Sequence, residues 1–232
     1  MNSIAEIKAK ARYNILGNFR PLVYSLIMTF LIILIIYSFF YQEVNSLMSM
    51  LINIVAVVLM YLFSSLMYAG RASINLKIAR GEEIVSRDIW NGFRGKPFSY
   101  IGASLILMFI SLGCMLPFII CYGFYETGYK TNAVLAAMIV LYIAGMIAYI
   151  IISLSFLFVI LVLADIKIST VSQAFKISRN LTRGRKGKLF LTLLSFIGLY
   201  IVSILSFGIG FLWVIPYVDQ TLTVFYLEAS EA

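Results

Sequence analysis

Apolar runs of membrane-crossing length alternate along this chain with short segments that carry almost all of its charge. A helix needs about 20 mostly apolar residues to cross a hydrocarbon layer about 30 Å thick, because every backbone polar group there must be satisfied within the segment. By that measure the runs at 22–41, 47–69 and 98–122 each predict one span. The unbroken run at 133–164 would extend about 48 Å as a single helix, so it has to tilt or protrude. The stretch 186–226 is long enough for two helices, bent at Gly208-Ile209-Gly210 and interrupted by Pro216. The pattern predicts an all-α polytopic membrane protein, a single integral domain over 1–232, with about six transmembrane helices in three hairpins at 22–69, 98–164 and 189–227 and amphipathic cytosolic helices between them. A five-span variant, in which 189–216 crosses once and Glu228 and Glu231 lie on the far side, fits the same pattern.

The polar segments have their own periodicity. In the N-terminal segment, 1–21, Ile4, Ile7, Ala11 and Ile15 recur at helical spacing among Glu6, Lys8, Lys10 and Arg12, and Ser3 with Glu6 forms a capping box. Two readings stand open: an interfacial helix lying on anionic lipid, or a short helix packed on its own protein. No small-residue cleavage site follows the first apolar run, which argues against a removable signal. Gly17 and Asn18 suit a left-handed cap and Pro21 the next helix's first turn. Segment 70–97 reads as a charged loop leading to a short helix at 86–93. In 165–188, Thr170 and Gln173 could cap a helix with Val171, Ala174, Phe175, Ser178 and Leu181 on one face, ending in the basic cluster Arg183, Arg185, Lys186 and Lys188. Pro117 is expected to kink the third span, and Ala144, Gly145 and Ala148 offer a small-residue patch for close helix approach.

Charge fixes the expected orientation. Of 18 Lys and Arg residues, all but Lys130 fall in the three polar segments, which places those segments and the N-terminus on the cytosolic side. The net charge of +8 then faces lipid headgroups and requires no nucleic acid. A basic cluster beside a span attracts anionic headgroups by about 1 kcal/mol per charge. The 232 residues include no histidine, which removes the commonest zinc ligand and neutral-pH base, so no catalytic residue, metal or cofactor is expected. Cys114 and Cys121 would lie roughly 10 Å apart along one helix, too far to bridge. The string Glu82-Glu83-Ile84-Val85-Ser86-Arg87 matches the Glu-Glu-x-x-x-Arg signature of intramembrane prenyl-type proteases, but those enzymes complete the site with histidines and this string falls in a loop. What remains of an enzyme reading is a carboxylate pair such as Asp165 with Glu82.

One polar site is expected inside the membrane: Asp219 with Gln220, Thr221 and Thr223. An intramembrane carboxylate is costly and marks a functional candidate. No cation in the other predicted spans is available to pair with Asp219, and Gly208, Gly210 and Pro216 are candidate hinges around it. Two functions follow. The first is a non-catalytic protein acting by contact with anionic membrane lipid, a partner membrane complex, a second copy or a membrane-active peptide. The second is a small transporter or channel built on Asp219.

The order Ala174-Phe175, Ser178, Gly184, Lys186, Leu189-Phe190, Leu194-Ser195-Phe196-Ile197-Gly198, Gly208-Ile209-Gly210, Leu212-Trp213, Pro216-Tyr217 and Phe225-Tyr226, with Leu16-Gly17-Asn18-Phe19 upstream, resembles a bacterial membrane family, mainly of Gram-positive organisms, catalogued as domain of unknown function 975. The chain departs from that pattern at Asp165-Ile166, where a Pro is expected close after the Asp, and at Gly198-Leu199, where Trp is favoured. The resemblance implies a six-helix fold in the cytoplasmic (plasma) membrane and carries no chemistry with it.

Overall fold

A computed structural model describes residues 2–165 and 170–231, and every regular element among them is helical. Ile166, one point of departure from the family pattern, lies outside the described residues. Helix α1, Ile4–Ile15, opens on the expected capping box: the Glu6 amide donates to Ser3 Oγ and the Ser3 amide donates to Glu6 Oε2. Hydrogen bonding from Ser3 holds the Glu6 carboxyl below its ordinary range. Ile7, Ala11 and Ile15 are fully buried against the C-terminal helix, so the reading of α1 as a helix lying on lipid is corrected: protein covers the face that lipid would have taken. Gly17, at φ +87°, turns the chain into α2, Phe19–Phe40.

The largest difference from expectation is α3, Leu47–Arg80, which continues through residues 70–80 assigned above to a loop. That continuation buries Ala72, Ile74, Leu76 and Ile78, and its charged residues find partners on neighbouring elements, so nothing polar forces the helix to stop. Gly81, left-handed at φ +69°, ends it. A 3-10 turn at Ser86–Trp90 and α4, Asn91–Arg94, form the expected short helical segment. It lies tight on α3: a Cβ at Gly70 would collide with the Ile89 carbonyl and one at Gly92 with the Leu66 carbonyl.

Helix α5, Pro97–Glu126, runs through Pro117 without a break and pairs with α6, Asn132–Ser155. A Cβ at Gly145 would stand 2.6 Å from the Cys114 carbonyl oxygen, so the small-residue patch does bring two backbones together. Both cysteines are free. The 133–164 run is not one continuous rod. It breaks after Ser155 and resumes as α7, Val159–Asp165. Helix α8, Val171–Thr182, makes the break tolerable. Its Ser178 hydroxyl donates to the Ser155 carbonyl and accepts from the Phe158 amide, and Thr182 also donates to Ser155. Thr170 makes no side-chain cap.

Helices α9, Lys186–Leu194, and α10, Ile197–Leu205, together form one apolar segment. Phe207 and Gly208, both at positive φ, then reverse the chain into α11, Phe211–Ser230. Gly208 is therefore a turn residue. Gly210 is a point of close approach instead, its Cβ position 2.7 Å from Ser203 Cα, and α11 passes through Pro216 without interruption. Because the chain reverses here, residues 189–216 do not form one continuous helix, as the five-span variant requires. Asn2 donates from its backbone and side chain to Glu228, which brings the two ends of the chain together.

Five segments are long and apolar enough to cross a membrane: α2, α3, α5, α6 with α7, and α9 with α10. Helix α11 is the sixth long helix of the bundle and differs in kind. Residues 220–226 are all buried, so this stretch of the helix is covered on every side.

Candidate functional site

Asp219 sits in the middle of α11 and faces the side of α3 that carries Arg71. Arg71 Nε is 3.5 Å from Asp219 Oδ2, and both side chains are about nine-tenths buried, at 10% and 12% exposure. This overturns the expectation that Asp219 has no cation to pair with, since the helix expected to end near residue 69 carries Arg71 into the bundle. Arg71 lies about 36 Å along α3 from Leu47, so in a layer about 30 Å thick the pair stands at the rim rather than at the midplane.

The pair is loosely satisfied. Arg71 Nε and Nη1 and Asp219 Oδ2 have no hydrogen-bond partner among the described residues, and neither have Asn75 Oδ1 or either polar atom of the Gln220 side chain. The Tyr68 ring covers the guanidinium at 5.5 Å. The two predicted threonines turn away from Asp219's carboxylate: Thr221 donates to the Tyr217 carbonyl and Thr223 to the Asp219 carbonyl, each one turn back along α11. Sequence reasoning missed Tyr68, Arg71 and Asn75. Their spacing of three and then four residues was the available signal, since it places them on one helical face.

All three ion pairs among the described residues use a cation of α3. Beyond Arg71, Lys77 reaches Asp88 at 2.8 Å, and Arg80 reaches Asp165, which also accepts from the Tyr226 hydroxyl at 2.9 Å. Asp165 is thus engaged with Arg80 and Tyr226, while Glu82 is exposed in the loop after α3. The Glu82–Arg87 string lies in that loop and the turn after it, with both glutamates and Arg87 exposed.

The predicted basic cluster divides in two. Arg185 Nη1 donates to the carbonyls of Leu181 and Ala229, both at 3.2 Å, and Lys188 donates to the Asn2 carbonyl beneath the Phe225 ring. These two tie α8, α11 and the N-terminus together. Arg183 and Lys186 instead join Lys176 and Arg179 around a cavity of about 600 Å³, completed by Asn180 and Gly184. Among the described residues, no acid lines it. The sequence showed the cluster, but not that α8 adds two more cations from the preceding turns.

A second cavity, of about 490 Å³, opens between α3, α5 and α6 and α7. Arg71 and Tyr68 stand at one end of its α3 wall and Tyr61 at the other, with Ser104 and Ser111 on α5 and Tyr149 and Ser153 on α6.

The model of one protein family matches residues 1–232, the whole chain; its description is Protein of unknown function (DUF975). No curated protein and no solved structure matches the chain.

Proposed function

Since the chain belongs to that family, whose description assigns no activity, its role rests on its own surfaces, and we propose that it is a non-catalytic multi-pass protein of the bacterial cytoplasmic membrane that acts by contact, gripping anionic lipid headgroups in the basic cavity of α8 and α9. The observation that carries this reading is the convergence of Lys176, Arg179, Arg183 and Lys186 on one cavity with no acid among them. Four cations so close repel one another, and a phosphate relieves that repulsion while accepting charge-assisted hydrogen bonds. The placement of 17 of the 18 basic residues in three segments supports a cytosolic N-terminus and, with it, a cavity facing the inner leaflet. The alternative, a small transporter or channel built on Asp219, has less to support it, because Arg71 matches that charge.

Native mass spectrometry of the chain extracted in a neutral detergent tests the proposal. Wild type should retain phosphatidylglycerol in preference to phosphatidylcholine, and replacing Lys176, Arg179, Arg183 and Lys186 with Gln should abolish the preference. Equal retention of the two lipids, or an unchanged preference in the variant, would overturn the headgroup reading. A stoichiometric protein partner retained in place of lipid would do the same and would identify contact with a membrane complex as the function.

A further inference from the structure

We infer that the crevice between α3, α5 and α6 and α7 is a second, separate binding site, which takes a single-chain anionic amphiphile with its carboxylate or phosphate at Arg71 and its hydrocarbon chain toward Tyr61.

Three observations converge on that occupant. The crevice volume, about 490 Å³, falls in the range of small-molecule sites, about 300–1,000 Å³. From Arg71 to Tyr61 the α3 wall rises about 15 Å, half the thickness of a hydrocarbon layer and so the reach of one acyl chain from rim to midplane. Arg71 supplies the only charge among the described lining residues, and its Nε and Nη1 are buried without a hydrogen-bond partner among them. A guanidinium presents five donors in a planar fork, and the 3.5 Å contact to Asp219 leaves most of that capacity unused. An anionic head could accept from it and repair the deficit.

Four of the hydroxyls along the walls do not compete for that role. Ser64 donates to the Met60 carbonyl, Ser111 to Met108, Ser153 to Ile150 and Tyr61 to Ser104. Their hydrogens are spent within the protein, so an anion finds its strongest donor at the Arg71 end. Leu107, Ile110 and Ile152 supply apolar wall beside them. The site lies on different helices from the basic cavity and stands or falls without it.

Palmitate, lysophosphatidylglycerol and the uncharged monopalmitin serve as probes, added to the delipidated full-length chain in neutral detergent and followed by native mass spectrometry. One charged amphiphile per chain should bind, and monopalmitin should bind roughly tenfold more weakly, the loss expected for one charge-assisted hydrogen bond. Preference between palmitate and lysophosphatidylglycerol identifies the source of the anion as free fatty acid or phospholipid. The neutral double variant R71Q/D219N should lose the discrimination against monopalmitin. Ser153→Phe, which fills the crevice and leaves the ion pair intact, should remove binding of all three. Substituting the four cations of the basic cavity should leave palmitate binding unchanged, which separates this site from the headgroup site. Equal binding of charged and uncharged probes, or undiminished binding in Ser153→Phe, would overturn the inference.

Discussion

The two halves of α3 are the most instructive contrast in the molecule. In the first half, Leu47, Met48 and Val57 are 74%, 67% and 59% exposed; in the second, Met67, Ile74 and Asn75 are at 1% or less. The exposed half is strongly apolar, whereas the buried half carries Arg71, Lys77 and Arg80. In water that arrangement would be inverted. A 34-residue helix is about 51 Å long, so some 20 Å must pass beyond a hydrocarbon layer about 30 Å thick, and the charges place that excess at the C-terminal end. Lipid tails solvate the first half, and apolar surface there gains nothing from being covered. The second half meets headgroups and water, where covering apolar surface is favourable again and the charges need partners. One helix therefore crosses two solvents, and its pattern of burial records the crossing.

The sharpest way to break this contrast is at the Arg71–Asp219 pair. Asp219→Ala strands a guanidinium that is 10% exposed, and loss of one partner from a buried pair costs about 3–5 kcal/mol. Unfolding of Asp219→Ala in detergent should show the full loss, and R71Q/D219N should recover most of it. If the double variant is as unstable as the single one, the two residues are not coupled and α3 is held to α11 by packing alone.

Next in size comes Gly92→Ala. Its methyl group would strike the Leu66 carbonyl, and backbone cannot step aside as a flexible side chain can. A cost of about 1–3 kcal/mol is expected for overpacking at such a site, with the 86–94 segment losing protection from hydrogen exchange before the bundle does. Retained protection of that segment would show that the contact with α3 does not set its position.

This second half of α3 is also where the sequence was least legible. Runs of apolar residues announced the spans, because length and hydropathy are local properties. Segment 70–80 looked like a loop since its charges were counted as solvated, and only the partners Asp219, Asp88 and Asp165, distant in sequence, reveal otherwise. For the same reason Asp219 could be singled out but its partner could not. The break at 156–158 was hidden as well. Phe156, Leu157 and Phe158 are all apolar, and the groups that satisfy the opened backbone, Ser178 and Thr182, lie twenty or more residues on. Capping was read correctly at Ser3 because both partners lie within one turn.

The C-terminal end of α3 offers a pH test. Burial acts to raise the Asp88 carboxyl, but bonds from Lys77 and the Val85 amide outweigh it and hold the group below its ordinary range. An acid whose pKa is depressed on folding contributes stability above its unfolded value, about 3.9, and loses it as pH falls through the lower folded value. Stability should therefore drop in acid by about 1 kcal/mol more in wild type than in Asp88→Asn. Parallel acid profiles for the two proteins would mean that the Lys77 contact contributes nothing to holding the turn on α3.

The smallest effect is expected where hydrophobic reasoning from soluble proteins forecasts a large one. Val57→Ala removes apolar surface from the exposed half of α3, at a position 59% open to the surroundings. In detergent or bilayer that surface contacts alkyl chains both before and after unfolding from neighbouring helices, so the change should stay within about 0.5 kcal/mol. Ile74→Ala, on the fully buried half of the same helix, should cost about 2–5 kcal/mol by opening a cavity. A ratio near one between the two would erase the distinction between the halves, and a Val57 cost as large as that of Ile74 would mean that the exposed face is covered in the membrane, by a second copy of the chain or by another protein.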